Sequence, residues 1–150
     1  MKNLDYGIIG NCSTAALISK TGSLDWLCFP YFDSPSMFAS ILDDSIGGSF
    51  SLEALNIINI DQRYLKNTNI LITSFITKDG SFDLLDFMPR YKYDEGGYHC
   101  PPDVIRYIKV RSGNPVVNFR YQPSFNYGAS KTSTEIIGNY VKSFSTDGQY

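Results

Sequence analysis

Four aspartates in this chain lie close to aromatic residues, and such carboxylates are candidates for acid–base chemistry on sugars. They are Asp25, Asp33, Asp83 and Asp86. Cleavage of a glycosidic bond requires one carboxyl group that donates a proton and a second one across that bond. Asp25 and Asp83, however, occupy equivalent positions after two Gly-Ser turns, where an aspartate commonly binds backbone N–H groups of the turn. We therefore interpret these carboxylates as structural, and the sequence predicts no catalytic residue.

Other residue types that carry chemistry are scarce. His99 is the only histidine, it lies in a segment rich in Gly and Pro, and the chain has no G-x-S-x-G motif for a nucleophilic serine. Cys12, Cys28 and Cys100 have neither CxxC nor CxxH spacing, so neither a zinc site nor a disulfide framework is predicted. No glycine-rich nucleotide motif occurs either, and we predict no metal and no cofactor.

An aromatic patch is the strongest candidate for a binding surface. It consists of four aromatic residues and the two polar residues that follow them, which are Trp26, Phe29, Tyr31, Phe32, Asp33 and Ser34. Aromatic faces stack on the C–H surfaces of sugars, and aromatic residues are also enriched in protein interfaces. The patch therefore predicts either a domain interface or a sugar contact, with core packing as the structural alternative.

The elements that hold these residues are expected to be strands. Aromatic residues make up 15% of the 150 residues, and Ile, Thr, Tyr and Phe outnumber the good helix formers. Residues 15–19 and 24–29 flank one turn, and residues 70–77 and 82–87 flank another that contains Asp79-Gly80. Because Gly accepts a positive φ without steric cost, these patterns predict two antiparallel hairpins.

Two further strand patterns occur towards the C-terminus. Residues 104–111 and the alternating residues 117–122 predict a third hairpin. Residues 139–145 also alternate, and residues 146–148 predict a turn whose returning strand is barely begun. A strand without its partner leaves unpaired backbone groups, so we expect an incomplete sheet that self-associates through its open edge.

One short helix is predicted near residues 35–42. Ser34 suits the N-cap and Pro35 suits the first helical position. The apolar residues Met37, Phe38, Ile41 and Leu42 would then share one face.

Charge and hydropathy exclude several classes of partner. The formal net charge is −2, so the chain lacks the basic excess that nucleic-acid binding requires. No apolar run approaches the roughly 20 residues of a membrane-spanning helix, and the N-terminus has no apolar signal-peptide core. With its odd, unpatterned cysteines, the chain is predicted to be cytoplasmic, with neither nucleic acid nor membrane as a partner.

Several motifs together resemble a known enzyme family. Residues 22–30 (GSLDWLCFP) and 32–38 (FDSPSMF) resemble the N-terminal region of bacterial and archaeal glycoside hydrolase family 15 proteins, which are glucoamylase-like and trehalase-like enzymes. The resemblance continues through 47–50 (GGSF), 86–89 (DFMP) and Tyr127-Gly128. Two positions depart from the family pattern, since Asn11 replaces a usual aspartate and Tyr31 replaces a common arginine.

The resemblance implies a fold and a function. In that family an N-terminal antiparallel β-sandwich, called a supersandwich, precedes an (α/α)6 barrel whose two glutamates hydrolyse α-glucosidic bonds with inversion. Residues 1–150 would form a truncated, non-catalytic sandwich domain that is inactive alone, because the barrel is absent. The domain would brace its own catalytic barrel and shape the rim of its pocket, and the full enzyme would act on an α-glucan, a maltooligosaccharide or trehalose.

Two alternatives stay open at this point. The chain could be a carbohydrate-binding module for α-glucans in which Trp26 and Tyr31 stack on sugar rings. It could instead be a β-sheet interaction or assembly domain without a role in sugar binding. In every case the predicted class is all-β.

Overall fold

The computed structural model describes residues 4–145, and this part of the chain consists of β-strands joined by turns. In chain order the strands are β1 (Tyr6–Gly10), β2 (Ala15–Ser19), β3 (Leu24–Cys28), β4 (Ser36–Phe38), β5 (Ser49–Ala54), β6 (Ile57–Tyr64), β7 (Leu71–Thr77), β8 (Gly80–Phe87), β9 (Tyr91–Lys92), β10 (Tyr98–His99), β11 (Ile105–Gly113), β12 (Val117–Gln122), β13 (Thr132–Ile137) and β14 (Tyr140–Ser145). One 3₁₀ turn lies at Asn126–Gly128. No helix in residues 4–145 has the length and apolar character needed to cross a membrane.

The strands form two main antiparallel sheets. The first sheet has the order β1-β2-β3-β5-β12, with β4 paired to β3, and the second has the order β11-β8-β7-β6. Strands β9 and β10 form a small hairpin, and β13 and β14 form another. The predicted all-β, antiparallel class is therefore confirmed.

The two sheets pack face to face around a shared core. Ile9, Ile18 and Leu27 of the first sheet share one core cluster with Leu71 of the second, and all four are almost fully buried. In a second cluster Leu52 of β5 meets three residues of the second sheet, namely Phe75, Phe82 and Leu84. Because side chains alternate between the faces of a strand, alternate residues such as Ala16 and Ile18 of β2 or Phe82 and Leu84 of β8 enter this core. The arrangement is a β-sandwich.

The first two predicted hairpins are confirmed. Strand β2 pairs with β3, and β7 pairs with β8, where Thr77 lies opposite Gly80. Thr77 reinforces its turn, because its hydroxyl donates to the Gly80 carbonyl and accepts from the Asp79 N–H. The local turn chemistry is sufficient to set these pairings.

The third predicted hairpin is wrong, because its two strands belong to different sheets. Strand β11 pairs with β8, whereas β12 pairs with β5. The Asn114 N–H donates to the Asp79 carbonyl of the second sheet, and the Leu55 N–H of the first sheet donates to the Val116 carbonyl. The chain therefore crosses between the sheets at residues 114–116. The alternation of apolar and polar residues predicted the strands but not their pairing partners.

The predicted helix near residues 35–42 is also wrong. Residues 36–38 form strand β4, in which Ser36 and Phe38 are buried and Met37 is half-buried. Phe38 lies opposite Leu27 of β3, so this short segment follows a period of two. Ser34 does not cap a helix, since its hydroxyl oxygen accepts the Tyr31 N–H instead.

The predicted C-terminal strand is present, but it pairs with the strand that precedes it in the chain. Strand β14 pairs with β13, with Ile137 opposite Tyr140. The turn predicted at residues 146–148 lies outside the described residues. Self-association through an open edge stays a prediction.

A buried arginine joins the two sheets. Arg106 of β11 donates from Nε to Asp86 Oδ1 over 2.7 Å, and both side chains are almost completely buried. Its other nitrogens donate to two carbonyl oxygens of the first sheet and its turn, those of Phe50, over 2.5 Å, and Gly22. Burial raises the pKa of Asp86, while the nearby guanidinium acts in the opposite direction.

Candidate functional site

The six predicted site residues divide between the interior and the surface. Trp26 is half-buried on β3, with its ring centroid 6.0 Å from that of Tyr127. Phe29 is half-buried against the core cluster of the sandwich. These two rings therefore already have protein neighbours, as the core-packing alternative expected of them.

The other four predicted residues form an ordered turn beyond β3. The rings of Tyr31 and Phe32 are 60% and 62% exposed, and Asp33 is exposed as well. The Phe32 N–H donates to the Ser13 carbonyl over 3.0 Å. Tyr31 and Ser34 are joined by two hydrogen bonds, from the Tyr31 N–H to Ser34 Oγ and from the Ser34 N–H to the Tyr31 carbonyl. The backbone is thus fixed while two large rings face solvent.

The neighbouring turn is organised by Asn11. Its side-chain oxygen accepts the N–H groups of Ser13 and Thr14 over 3.0 and 3.1 Å, and its amide nitrogen donates to the Pro101 carbonyl over 3.0 Å. A carboxylate accepts hydrogen bonds but cannot donate one to a carbonyl. Asn11 can therefore bind the Pro101 carbonyl, which an ionised aspartate at this position could not do.

A third segment adds aromatic residues that the sequence analysis did not select. Tyr91, Tyr93 and Tyr98 are each about half exposed on or beside the β9–β10 hairpin. The Tyr93 hydroxyl lies 2.7 Å from Nδ1 of His99, and the Arg90 guanidinium carbon lies 4.0 Å from the centre of the Tyr98 ring. The only signal in the sequence for this aromatic surface was the occurrence of three tyrosines within eight residues.

These three segments are contiguous at one end of the sandwich. Residues 29–34 bind residues 11–14 through Ser13, and residues 11–14 bind residues 88–103 through Pro101. We call this surface the aromatic end face. Exposed aromatic rings on hydrogen-bonded turns are the usual composition of a surface that contacts a protein or a carbohydrate.

Three of the four aspartates near aromatic residues, Asp25, Asp83 and Asp86, have structural partners. Asp25 accepts hydrogen bonds from the hydroxyls of Tyr6, over 2.9 Å, and Ser23, over 2.5 Å. Burial and this bond to Asp25 raise the pKa of Tyr6. Asp83 accepts from Arg111 and from the Ser74 hydroxyl. The structural interpretation is supported, although the partners are side chains and not the expected turn N–H groups.

The electrostatics of Asp83 differ from those of a catalytic acid. Burial alone would raise the pKa of Asp83, but hydrogen bonds from Arg111 and Ser74 hold it below its usual value. An aspartate with a lowered pKa stays ionised at neutral pH, whereas a general acid must keep its proton. Among residues 4–145, no three His, Cys, Asp or Glu side chains converge as a metal site would require.

Comparison with known proteins gives consistent matches along the chain. A family model described as "Trehalase-like, N-terminal" matches residues 5–148. The chain is 37% identical to a trehalase of Thermoplasma volcanium over 87% of its own length and 21% of that protein. It is 39% identical to trehalase 1 of Sulfolobus acidocaldarius over 81% of its length and 19% of that protein, and 32% identical to a trehalase of Mycolicibacterium smegmatis over 89% and 22%.

The matches cover most of this chain but only a small part of each relative. The chain spans about a fifth of the length of these curated relatives. No solved structure matches it significantly. Because the family model covers almost the whole sequence, this chain belongs to the trehalase-like N-terminal domain family.

Proposed function

We propose that this chain is the non-catalytic N-terminal sandwich domain of a trehalase-type glycoside hydrolase of family 15. The relatives named trehalase are about five times as long as the matched region, which leaves ample length for a separate catalytic barrel. Three of the four aspartates that we considered for catalysis, Asp25, Asp83 and Asp86, bind neighbouring hydroxyl or guanidinium groups, and the fourth, Asp33, is exposed. Trehalose is the favoured substrate of the whole enzyme, and α-glucans and maltooligosaccharides are the alternatives.

The aromatic end face is the surface that we expect to brace the barrel and shape the rim of its pocket. The observation that carries this role is the pair of exposed rings, Tyr31 and Phe32, on a turn whose backbone is fixed. A rigid turn loses little conformational entropy when a partner covers it, so burial of the two rings contributes more fully to binding. Large aromatic anchors of this kind often dominate the energy of an interface.

A second surface supports the view that further strands belong to this domain. Phe119 lies opposite Leu52, and Val110 lies opposite Phe82, so both face the side of the sheet that forms the core. Nevertheless Phe119 is 57% exposed and Val110 is 56% exposed. Because β12 and β11 end their respective sheets, a further strand on either edge would cover these side chains.

The test uses the full-length enzyme with Phe32→Ala and with the double substitution Tyr31→Ala/Phe32→Ala. We expect the double variant to lower kcat/KM for trehalose about tenfold or to lower Tm by several degrees, because an interface anchor is worth about 1–2 kcal/mol or more. Tyr140→Ala is the matched control, since this exposed tyrosine lies on the separate β13–β14 hairpin. Unchanged turnover and Tm in the double variant would contradict the bracing role.

A further inference from the structure

A cavity of about 450 Å³ lies within the aromatic end face, between the segments that contain Cys12 and residues 88–91. It is half open to solvent and is bordered by the turn after β1, by residues 69–70 before β7, and by the connection from β8 to β9. Its volume falls within the range of about 300–1,000 Å³ that is typical of small-molecule sites. Tyr31 and Phe32, the exposed rings described above, are not among its lining residues.

The wall of this cavity is largely apolar. Ile70, Phe87 and Met88 are among its lining residues, and Met88 is 6% exposed because it belongs to the core of the sandwich. Tyr91 also lines the cavity and is 53% exposed, and its ring centroid lies 5.0 Å from that of His99, so a ligand would use the part of the ring turned away from His99. A tyrosine ring presents a flat apolar face together with a polar hydroxyl, which matches a ligand that has one C–H face and hydroxyl groups at its edge.

Polar groups accompany this apolar wall. The Arg90 guanidinium lies over the Tyr98 ring, which restricts its position, and within residues 4–145 no hydrogen bond or ion pair engages its N–H groups. The Asn69 amide nitrogen donates to the Gly10 carbonyl over 2.7 Å, and Asn69, whose side-chain oxygen is an acceptor, lines the cavity. A guanidinium donor and an amide acceptor among the lining residues can provide directional contacts for hydroxyl groups.

We infer that this cavity binds one glucosyl unit of a neutral disaccharide, with the sugar ring stacked on Tyr91 and its hydroxyl groups bound by Arg90 and Asn69. The identity of the sugar rests on the proposed function, whereas the cavity and its lining do not. The site is separate from the patch formed by Trp26 and Tyr31. A single guanidinium against an apolar wall suits a neutral polyol better than a phosphate, which is usually bound by several converging donors.

The experiment is a calorimetric titration of the 150-residue chain with trehalose. We expect weak binding, with a Kd on the order of 1 mM. Tyr91→Ala should weaken binding about tenfold, since it removes the stacking surface, and Arg90→Gln should weaken it severalfold. Tyr140→Ala, an equally exposed tyrosine on the β13–β14 hairpin, should leave the Kd unchanged.

A second readout locates the ligand. Cys12 is exposed and lines the cavity, so its alkylation by iodoacetamide should slow when trehalose is bound. Cys100 is half-buried outside the lining and serves as the internal control. This measurement stays informative even where a substitution disturbs folding, because it uses the unaltered chain.

The outcomes separate this inference from the proposed function. The site is overturned if trehalose neither binds nor protects Cys12, or if Tyr91→Ala binds as well as the unaltered chain. It is also overturned if inorganic phosphate binds more tightly than trehalose, which would identify an anion site. Neither result bears on the bracing role, which is tested by substituting Tyr31 and Phe32 in the full-length enzyme. If that test fails, the proposed sugar site on this domain is not contradicted.

Discussion

Two ion pairs on the same two strands both have a buried aspartate but differ in the burial of their arginines and in the direction in which the aspartate pKa is shifted. Strands β8 and β11 carry Asp86–Arg106 on the face that forms the core and Asp83–Arg111 on the opposite face. Arg106 is 4% exposed and also binds two backbone carbonyls, whereas Arg111 is 50% exposed. The pKa of Asp86 is raised by burial and that of Asp83 is lowered by its partners. The same residue types therefore serve different roles, and their surroundings decide which.

The largest expected effect is the loss of the inner arginine. Arg106→Ala leaves the fully buried Asp86 without a positive partner, and it also leaves the Phe50 and Gly22 carbonyls without a donor. We expect the free energy of unfolding to fall by about 3–5 kcal/mol. Urea denaturation followed by tryptophan fluorescence measures this, because Trp26 is the only tryptophan.

A double substitution provides the control for that prediction. Asp86→Leu/Arg106→Met removes both charges, so we expect it to be less destabilised than Arg106→Ala alone. If the single and double variants lose equal stability, the lost carbonyl contacts and not the unpaired carboxylate explain the effect.

The second prediction concerns pH, and the two aspartates should act in opposite directions. The lowered pKa of Asp83 gives stability that is complete above the unfolded value of about 3.9 and is lost as the pH falls through the folded pKa. The raised pKa of Asp86 makes its contribution fall as the pH rises from about 3.9 to the folded pKa. Asp83→Asn should therefore flatten the loss of stability in acid, and Asp86→Asn should flatten the loss just above pH 4.

Thermal unfolding of the two variants between about pH 3 and pH 6 checks this pair of opposite slopes around the ordinary aspartate pKa. Identical pH profiles in the two variants would show that the two faces of the sheet do not differ electrostatically in the way described.

The smallest effect should come from the outer arginine. Arg111→Ala removes a half-exposed partner, while the Ser74 hydroxyl still binds Asp83 over 2.8 Å. We expect a loss of about 1 kcal/mol or less, which high salt should reduce further. A loss as large as that of Arg106→Ala would contradict the contrast between the two pairs.

Local signals in the sequence were sufficient for β2, β3, β7, β8, β11, β12 and β14 and for two hairpins, whereas the remaining strands were not predicted. The turns at Gly22 and Asp79-Gly80 set pairings between neighbouring strands, and these could be predicted from residue types alone. The partners of β11 and β12 could not, because both strands alternate normally and the change of sheet depends on contacts made by Asn114 and Val116 with distant residues. The false helix at 35–42 has a similar cause, since a three-residue strand is too short to show its period.

The candidate site was predictable in part. The sequence located Tyr31 and Phe32, but it could not show that these rings face solvent while Trp26 and Phe29 pack inward. The tyrosines at 91, 93 and 98 were not selected, because a loop between strands has no periodicity from which exposure can be inferred. The bond from Asn11 to Pro101 spans 90 positions and has no local signal.

The carbonyl of Gly22 has a consequence for how the protein opens. This glycine has a φ of +79° at the tip of the β2–β3 turn, and its oxygen is bound by an arginine of the other sheet. The loop cannot detach without breaking a contact in the centre of the sandwich, although tips of hairpins usually fray first. Amide exchange at this tip is thus coupled to separation of the two layers, and the molecule is expected to lose both sheets in one cooperative event.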